Sequence, residues 1–507
     1  MGAFLWLSDF HLDPYYGTPH AASASQNSIC SQTSTLQQFP FGHVGCDASP
    51  GLMKEVLLHL ASSTDVANID FVLVTGDFSR HATDQLDDSV PATQSILSTV
   101  AEALKETFPS IPIIPCIGNN DVFPDYTVDL EVSGTENAIL NISLRGFKSL
   151  FDSQESLETF SKGGYFARNV ADSLTILSLN TVMYSINHLP DQTYLDDPMG
   201  QLAWLREQLE SASTAGGSVY IVGHIPPTIG SYRHSQFWHD KYMDLYFDVL
   251  RDYQDTVVKG HLFGHLHSDE FRFLRPFSSS LAVPLYIAPS VTPVYGSNPS
   301  YRLVQYDNRT SELLDYQTYY LDLQTLHHHM NTSNDTAAVG FEAIWTSEGP
   351  GFVTTYDLKN MSTQSLQALI ARLTQPLVSS RRIWQAFLDR QYVSSTDQEL
   401  CDDFCRTDWL CTLQATSKGD YDACVLNSTR IKLQRDRLLM APSITFGIVL
   451  AGFLALGCRR YFKRRHFLKV GQYDESHLNG VVQRDTETCA RTARGAEINN
   501  VERGEMT

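Results

Sequence analysis

The sequence predicts an α/β protein followed by a smaller helical unit and one membrane-spanning helix. Over residues 1–325, short apolar runs alternate with stretches in which apolar residues recur every three or four positions. This alternation is typical of α/β architecture. At 507 residues the chain also exceeds what one hydrophobic core usually supports, so we expect at least two structural units.

Apolar runs of four to eight residues predict the strands, and longer periodic stretches predict the helices. We expect strands at Phe4–Leu7, Phe71–Thr75, Ile111–Ile117, Leu174–Leu179, Val219–Val222, Val257–Phe263 and Leu285–Ala288. We expect helices at Gly51–Ser62, Gln94–Thr107, Gly200–Ser211 and Asp240–Tyr253. The run His327-His328-His329 and the sequons after it indicate an exposed connection.

The C-terminal third divides into three parts. Residues 326–432 predict a small helical subdomain that contains Cys401, Cys405, Cys411 and Cys424. The segment 440–458 is free of charged residues and has nineteen residues, close to the ~20 that a helix needs to span a bilayer. Residues 459–507 are polar without a periodic apolar face, so we expect a disordered tail.

Charge and sequons predict the orientation in the membrane. Five basic residues follow the apolar segment within seven positions, which favours a cytoplasmic tail. Six N-x-S/T sequons precede the segment, at Asn141, Asn308, Asn331, Asn334, Asn360 and Asn427, and none follows it. Seven of the nine cysteines also precede it. We therefore expect a single-pass membrane protein with a glycosylated, disulfide-containing body in the lumen (vacuole or lysosome) or at the cell surface.

Two further features concern the class of function and the residues that precede Met1. The net charge of −20 and the pI of about 5.2 argue against nucleic-acid binding through a basic face. The first seven residues resemble a strand leading directly to Asp9 and lack a basic n-region. We therefore expect a signal peptide to precede Met1.

Polar motifs stand where five of the apolar runs end. They are Asp9-Phe10-His11, Gly76-Asp77, Gly118-Asn119-Asn120-Asp121, Gly223-His224 and Gly264-His265-Leu266-His267. Side chains at the carboxyl ends of neighbouring strands converge on one edge of an α/β sheet. This donor set suits two divalent ions that share a carboxylate, and the histidines favour a transition metal over Mg²⁺ or Ca²⁺.

The order of these motifs resembles the calcineurin-like metallophosphoesterase superfamily, specifically its acid sphingomyelinase-like phosphodiesterase and endopolyphosphatase branch. Further matching text is Asp9–Pro14, Phe41–Asp47, Asp197–Leu205, Gly223–Pro227, Phe263–Phe271 and Asn298–Arg302. The resemblance implies that residues 1–325 form a catalytic domain, a β-sandwich flanked by helices (αββα). It also implies the disulfides Cys30–Cys46, Cys401–Cys405 and Cys411–Cys424.

The resemblance further implies a ligand set and a reaction. Asp9, His11, Asp77 and His267 would hold one ion, and Asp77, Asn119, His224 and His265 the other, both most often Zn²⁺. Metal-activated hydroxide would hydrolyse phosphodiesters of nucleotides or lipid head groups. Inorganic polyphosphate is an alternative substrate, and a degenerate membrane-anchored binding module is an alternative of another class.

One position departs from many relatives. The motif G-N-H-[DE] has Asn120 in place of its histidine, and an amide does not donate a proton to a leaving group. His81, four residues after Asp77, is the candidate general acid, because acid sphingomyelinase-type enzymes also have histidine there. The same Asn120 resembles the endopolyphosphatases, whereas His267 resembles the phosphodiesterases.

Overall fold

The computed structural model describes residues 1–428, apart from 23–28, 133, 232, 277–280, 333–344 and 396–400. The described residues belong to one compact unit, Met1–Thr429. None of their helices is long and apolar enough to cross a membrane. The segments 440–458 and 459–507, for which we predict a membrane helix and a disordered tail, lie outside the described residues.

Two six-stranded sheets form the centre of the fold. The first has the order β12-β11-β10-β1-β2-β3 and the second the order β4-β5-β6-β7-β9-β8. The strands are β1 Gly2–Leu7, β2 Phe71–Val74, β3 Ile113–Pro115, β4 Phe166–Ala171, β5 Leu174–Ser178, β6 Ser218–Val222, β7 Val258–Phe263, β8 Glu270–Leu274, β9 Val283–Ile287, β10 Ser300–Tyr306, β11 Leu313–Leu321 and β12 Trp345–Ser347. All seven predicted strands are present. Sequence reasoning missed β4, β8, β10, β11 and β12, which pair antiparallel with a neighbour and mostly have mixed polar and apolar sequences.

The parallel strands explain why the predicted motifs converge. Strands β1, β2 and β3 run parallel in the first sheet, and β5, β6, β7 and β9 run parallel in the second. The sheets pack on each other, with the rings of Phe4 and Tyr220 6.0 Å apart and Ser178 Oγ donating to Pro115 O at 2.8 Å. The carboxyl ends of β1, β2, β3, β6 and β7 therefore meet at one edge of this sandwich.

The helices pack around the sheets. They are α1 Thr33–Gln38, α2 Pro50–Ser62, α3 Ser89–Thr107, α4 Leu140–Gly146, α5 Gln154–Gly163, α6 Gln201–Ala215, α7 Asp240–Leu250, α8 Leu323–Thr332, α9 Phe352–Thr355, α10 Thr363–Leu373, α11 Leu377–Gln391 and α12 Asp403–Thr412, with a further helical segment at 418–428. The four predicted helices correspond to α2, α3, α6 and α7. The run His327-His328-His329 lies in helix α8 and not in an irregular connection, because Leu323 and Leu326 are buried; His327 is half-buried and His328 is exposed, and most of the sequon stretch after this run lies outside the described residues.

The region after β11 is attached to the sandwich and stabilised by disulfides. Strand β12 pairs with β11, so this region also contributes to the first sheet. The structure contains the three disulfides that the resemblance implies, Cys30–Cys46, Cys401–Cys405 and Cys411–Cys424. Cys116 is a buried free thiol, as its place in an apolar run indicates.

Candidate metal centre

Strained backbone marks the strand ends that carry the predicted ligands. The φ angles are +50° at Asp9, +42° at His11, +53° at Asp77, +74° at His265 and +57° at His267. Residues with a Cβ rarely adopt such angles, which persist only where the surrounding structure fixes them. The strain at all five positions therefore indicates a site whose side-chain directions are more constrained than the strands alone require.

Asp77 lies in the middle of the cluster. Its Oδ2 is 3.3 Å from His11 Nε2 and 3.1 Å from His224 Nε2. Burial opposes ionisation of Asp77, but His224 and His11 outweigh it and hold the pKa of Asp77 below its usual range. One carboxylate thus faces imidazoles from both sheets.

On one side of Asp77 lie Asp9, His11 and His267, which we call the Asp9 half. Asp9 Oδ1 is 3.3 Å from His267 Nε2 and 3.8 Å from His11 Nε2. The rings of His11 and His267 are stacked, with centroids 4.9 Å apart. Strands from both sheets therefore contribute to this half.

On the other side lie Asn119, His224 and His265, which we call the Asn119 half. His224 Nε2 is 3.1 Å from Asn119 Oδ1 and 3.2 Å from His265 Nδ1. The Nδ1 of His224 lies 2.7 Å from the carbonyl oxygen of Thr75, which makes Nδ1 the protonated nitrogen and leaves Nε2 facing Asp77. Burial and the neighbouring His224 lower the pKa of His265 to about 3, so His265 is a neutral donor.

The arrangement fits divalent metal ions. The groups Asp9-His11-Asp77 and Asp77-His224-His265 each bring one ligand atom per residue within 4.8 Å of the others. Asp9 Oδ1 and both ring nitrogens of His11 are buried and make no hydrogen bond of acceptable geometry to any described residue. Buried polar atoms are normally satisfied, and an ion ligated by Asp9 Oδ1 and one ring nitrogen of His11 would satisfy these two atoms.

Two glycines keep this space open. A Cβ at Gly118 would stand 2.1 Å from Asp77 Oδ1, and one at Gly264 would stand 2.2 Å from Ser8 Oγ. The glycines of these motifs are therefore required by the close approach of backbone to the carboxylates.

Residues behind the cluster orient it. Asn120 donates to both oxygens of Asp77, from its backbone N at 2.8 Å and from Nδ2 at 2.9 Å. Asp121 accepts from the backbone N–H groups of Asp77, Phe78, Ser79 and Gly118 at 2.7–3.1 Å. Asn120 is thus placed as a clamp on Asp77 in this structure.

His81 lies beside the Asp9 half and is 24% exposed. Its ring stacks on that of His11, with centroids 4.0 Å apart, and its Nδ1 lies 2.8 Å from Asp47 Oδ1. Its Nε2 lies 3.2 Å from Tyr295 Oη. Burial lowers the pKa of His81, but the Asp47 carboxylate outweighs it and raises the value to about 9.

Sequence reasoning missed two partners of His81. Asp47 belongs to the matching text Phe41–Asp47, which could have identified it, whereas nothing in the sequence marks Tyr295. Of the other histidines, His188 Nε2 lies 2.9 Å from Val128 O, and His234 Nε2 lies 3.3 Å from Asp408 Oδ2. The ring of His239 lies at an angle to Tyr242, and Tyr184 is fully buried against Trp238. None of these four joins the metal cluster among the described residues.

Comparisons with known proteins agree with this geometry. The family model for calcineurin-like phosphoesterases matches residues 3–269, and the model for the acid sphingomyelin phosphodiesterase C-terminal region matches residues 279–431. Sphingomyelinase phosphodiesterase D of Dictyostelium discoideum is 32% identical over 71% of this chain and 78% of its own length. Human cyclic GMP-AMP phosphodiesterase SMPDL3A is 28% identical over 84% of this chain and 90% of its own.

A third relative, sphingomyelin phosphodiesterase A of Dictyostelium discoideum, is 26% identical over 84% of this chain and 68% of its own length. The first family model alone covers more than half of the chain. The strand-end motifs, the two-sheet fold and the named relatives agree. The chain belongs to the calcineurin-like phosphoesterase family, in its acid sphingomyelinase-like branch, and is a metal-dependent phosphohydrolase.

Proposed function

We propose that this protein is a binuclear-metal phosphodiesterase that hydrolyses phosphodiesters of nucleotides or lipid head groups. The observation that carries the proposal is the convergence of Asp9, His11, Asn119, His224, His265 and His267 around Asp77. Asp9, His11, Asp77 and His267 would hold one ion, and Asp77, Asn119, His224 and His265 the other. Retention of every ligand weighs against a degenerate binding module.

Zinc is the ion we propose for both positions. Four imidazoles, two carboxylates and one amide form the donor set, and imidazole favours Zn²⁺ over Mg²⁺ or Ca²⁺. A pair of such ions supplies Lewis-acid chemistry, lowering the pKa of water and neutralising phosphoryl charge. Metal analysis of the purified protein should find close to two equivalents of zinc per chain, and a chain without bound metal would refute the assignment.

The chain's own residues would orient the ions and handle the proton of the leaving group. Asn120 fixes both oxygens of Asp77, and the carbonyl of Thr75 fixes the tautomer of His224. His81, protonated below about pH 9 through its pair with Asp47, is the general acid that we propose for an alkoxide leaving group. In the free protein its Nε2 contacts Tyr295, so this hydroxyl would give way to the leaving group.

The substrate class rests on the relatives and on the proton donor. One relative is named for cyclic GMP-AMP and others for sphingomyelin, and all of these substrates are phosphodiesters. An acid beside the metal centre is useful for such esters, because their alkoxide leaving groups are strongly basic. Asn120 supports polyphosphate as the second candidate, because a leaving phosphate departs without a proton.

A substrate panel tests this order. The purified protein, loaded with zinc, would be given a cyclic dinucleotide, a phosphocholine-containing lipid in detergent and inorganic polyphosphate at equal phosphate concentration. We expect a diester to have the highest kcat/KM. A polyphosphate kcat/KM above that of both diesters would replace the first candidate with the second.

We also propose that residues 440–458 anchor the enzyme in a membrane with its body in the lumen or outside the cell. The sequons support this orientation because all six precede the segment 440–458. Asn308 and Asn427 are exposed, and Asn141 and Asn360 are half-buried. The side chain of Asn331 and the whole of Asn334 lie outside the described residues. Protease treatment of sealed membranes should remove only the C-terminal tail, and glycosidase should shift the protected fragment. Full protection of a C-terminal tag would contradict the orientation.

A further inference from the structure

A fully buried ionic cluster lies directly behind the segment 264–269, which connects β7 to β8 and carries His265 and His267. Asp269, the last residue matched by the phosphoesterase family model, is at its centre. Its carboxylate accepts hydrogen bonds from Arg302 Nη2 at 2.6 Å and Tyr316 Oη at 2.9 Å. The segment that carries His265 and His267 is thus anchored by hydrogen bonds at Asp269, two residues after His267.

Thr318 in β11 also donates to Asp269 Oδ2, and the C-terminal region supplies two further partners of Asp269. Arg390 Nη1, from α11, lies 3.5 Å from Asp269 Oδ2, and Gln391 Nε2 donates to Asp269 O at 3.0 Å. Arg390 is buried, 3.8 Å from Glu348 Oε2, with its guanidinium 5.3 Å from the Tyr316 ring centroid. Buried charges are costly unless paired, so these groups accept few alternative arrangements.

The same cluster reaches the strand that carries Asp9 and His11. The guanidinium of Arg302 lies between the ring of Tyr316, at 4.2 Å, and the ring of Trp6 in β1, at 4.9 Å. Trp6 Nε1 donates to Thr75 Oγ1 at 3.0 Å, and Thr75 Oγ1 donates to Ser8 Oγ at 2.7 Å. Ser8 donates in turn to Asp9. Asp269 therefore connects the C-terminal region with both strands that supply the Asp9 half.

We propose that Arg390 and Gln391 are positioning residues for the metal centre: through Asp269 they hold the segment 264–269 so that His267 faces Asp9. The inference rests on the metal assignment proposed above. Neither residue has a hydrogen bond or ion pair to a proposed metal ligand among the described residues, so neither is a catalytic residue. The C-terminal region accordingly helps to position a metal ligand, in addition to packing against the two sheets.

Loss of any buried arginine would reduce stability, so the test must separate metal binding from folding. The full chain would be freed of metal, loaded with Co²⁺ and followed by its visible absorption spectrum, its Co²⁺ affinity and its thermal unfolding. The variants are Arg390→Met and Arg390→Lys. The control is Arg372→Met, in the same region, whose Nη1 donates to Tyr356 O at 2.5 Å and which has no hydrogen bond or ion pair to the described residues of 264–270.

We expect Arg390→Met to weaken one Co²⁺ site by about 10- to 100-fold and to change the spectrum, since residues that support metal ligands contribute about this much to affinity. Arg390→Lys should recover part of the affinity, and Arg372→Met should retain the affinity and spectrum of the unaltered chain. An Arg390→Met protein with unaltered affinity and spectrum would overturn the inference even if its Tm falls.

Two further outcomes are informative. If Arg390→Met does not fold, Gln391→Leu removes only the hydrogen bond to Asp269 O, and a weakened Co²⁺ site in that variant supports the inference, whereas an unchanged site overturns it. An unaltered chain that binds no Co²⁺ would refute the metal assignment together with the inference. Two normal Co²⁺ sites in every variant would refute the inference alone.

Discussion

The two halves of the metal centre are held in different ways. In the Asn119 half, the nitrogens of His224 contact Thr75 O and Asn119 Oδ1 at 2.7 and 3.1 Å. In the Asp9 half, neither ring nitrogen of His11 makes a hydrogen bond to another described residue, and Asp9 Oδ1 makes none. A buried polar atom without a partner costs about 1–3 kcal/mol. The Asn119 half is thus largely fixed by the protein, whereas the Asp9 half needs its proposed ion.

The halves also differ in what lies over them. His81 and Tyr295 cover the Asp9 half, with ring centroids 4.0 Å from His11 and 4.7 Å from His267 respectively. Over the Asn119 half, the ring centroids of Phe237 and Tyr126 lie 4.9 Å and 6.5 Å from that of His265. His81, the proposed general acid, is therefore on the side of the Asp9 half.

The largest expected effect removes the residue that the halves share. Asp77→Ala should lower the occupancy of both ions and reduce turnover to the detection limit, because Asp77 faces ligands of both halves. Metal content and kcat measured on the same samples would check this. His267→Ala is the matched control, and it should empty mainly the site of the Asp9 half. Wild-type turnover in Asp77→Ala would refute the binuclear assignment.

The next effect concerns the acid beside the Asp9 half. His81→Ala should reduce hydrolysis of an alkyl phosphodiester by about 10²- to 10⁴-fold, the usual range for general acid catalysis. Hydrolysis of a p-nitrophenyl ester should fall much less, because nitrophenolate leaves without a proton. The kcat/KM of both esters and the metal content would be compared with those of the unaltered enzyme. Equal losses on the two esters, with both ions retained, would remove His81 from the mechanism.

The convergence of the proposed ligands was predictable because each lies at or near a strand end. Asp9, Asp77, Asn119, His224 and His265 all directly or closely follow an apolar run, and parallel pairing brings these positions together. The disulfides and the ligand set came from the resemblance. The sequence therefore contained most of the centre, but not the way in which its two halves are supported.

The surroundings of the centre depend on contacts distant in sequence. His81 contacts Asp47, 34 positions before it, and Tyr295, 214 positions after it, so no local pattern marks either pair. The helix at His327 forms in a polar stretch because Leu323 and Leu326 are buried by the fold. Tertiary packing overrides local propensity at such places.

Metal removal should affect amide exchange differently in the two halves. Chelation should increase amide exchange around His11 by about tenfold, equivalent to ~1.4 kcal/mol of local opening free energy, and change it little around His224. The reason is that the buried ring nitrogens of His11 have no hydrogen-bond partner among the described residues, whereas those of His224 lie within hydrogen-bond distance of Thr75 O and Asn119 Oδ1. Hydrogen-exchange mass spectrometry of peptides spanning 8–13 and 222–226 would check this. Equal increases in both peptides would contradict the difference between the halves.

The smallest effect is a dependence of stability on pH that arises beside the Asp9 half. Asp47 raises the pKa of His81 from 6.5 to about 9 against the effect of burial. The folded state therefore binds this proton more tightly than the unfolded state, so the stabilisation is complete below about pH 6.5 and is lost as pH rises through 9. At ~1.4 kcal/mol per pKa unit, Asp47→Asn should cost roughly 2–3 kcal/mol more at pH 6 than at pH 10. Urea unfolding of metal-free protein at both pH values would measure this difference.

In the control Asp152→Asn, which removes the partner of Arg168, the cost in unfolding free energy should not change with pH, because arginine does not titrate in this range. A pH-independent cost of Asp47→Asn would show that the Asp47–His81 pair does not hold the proton as we infer.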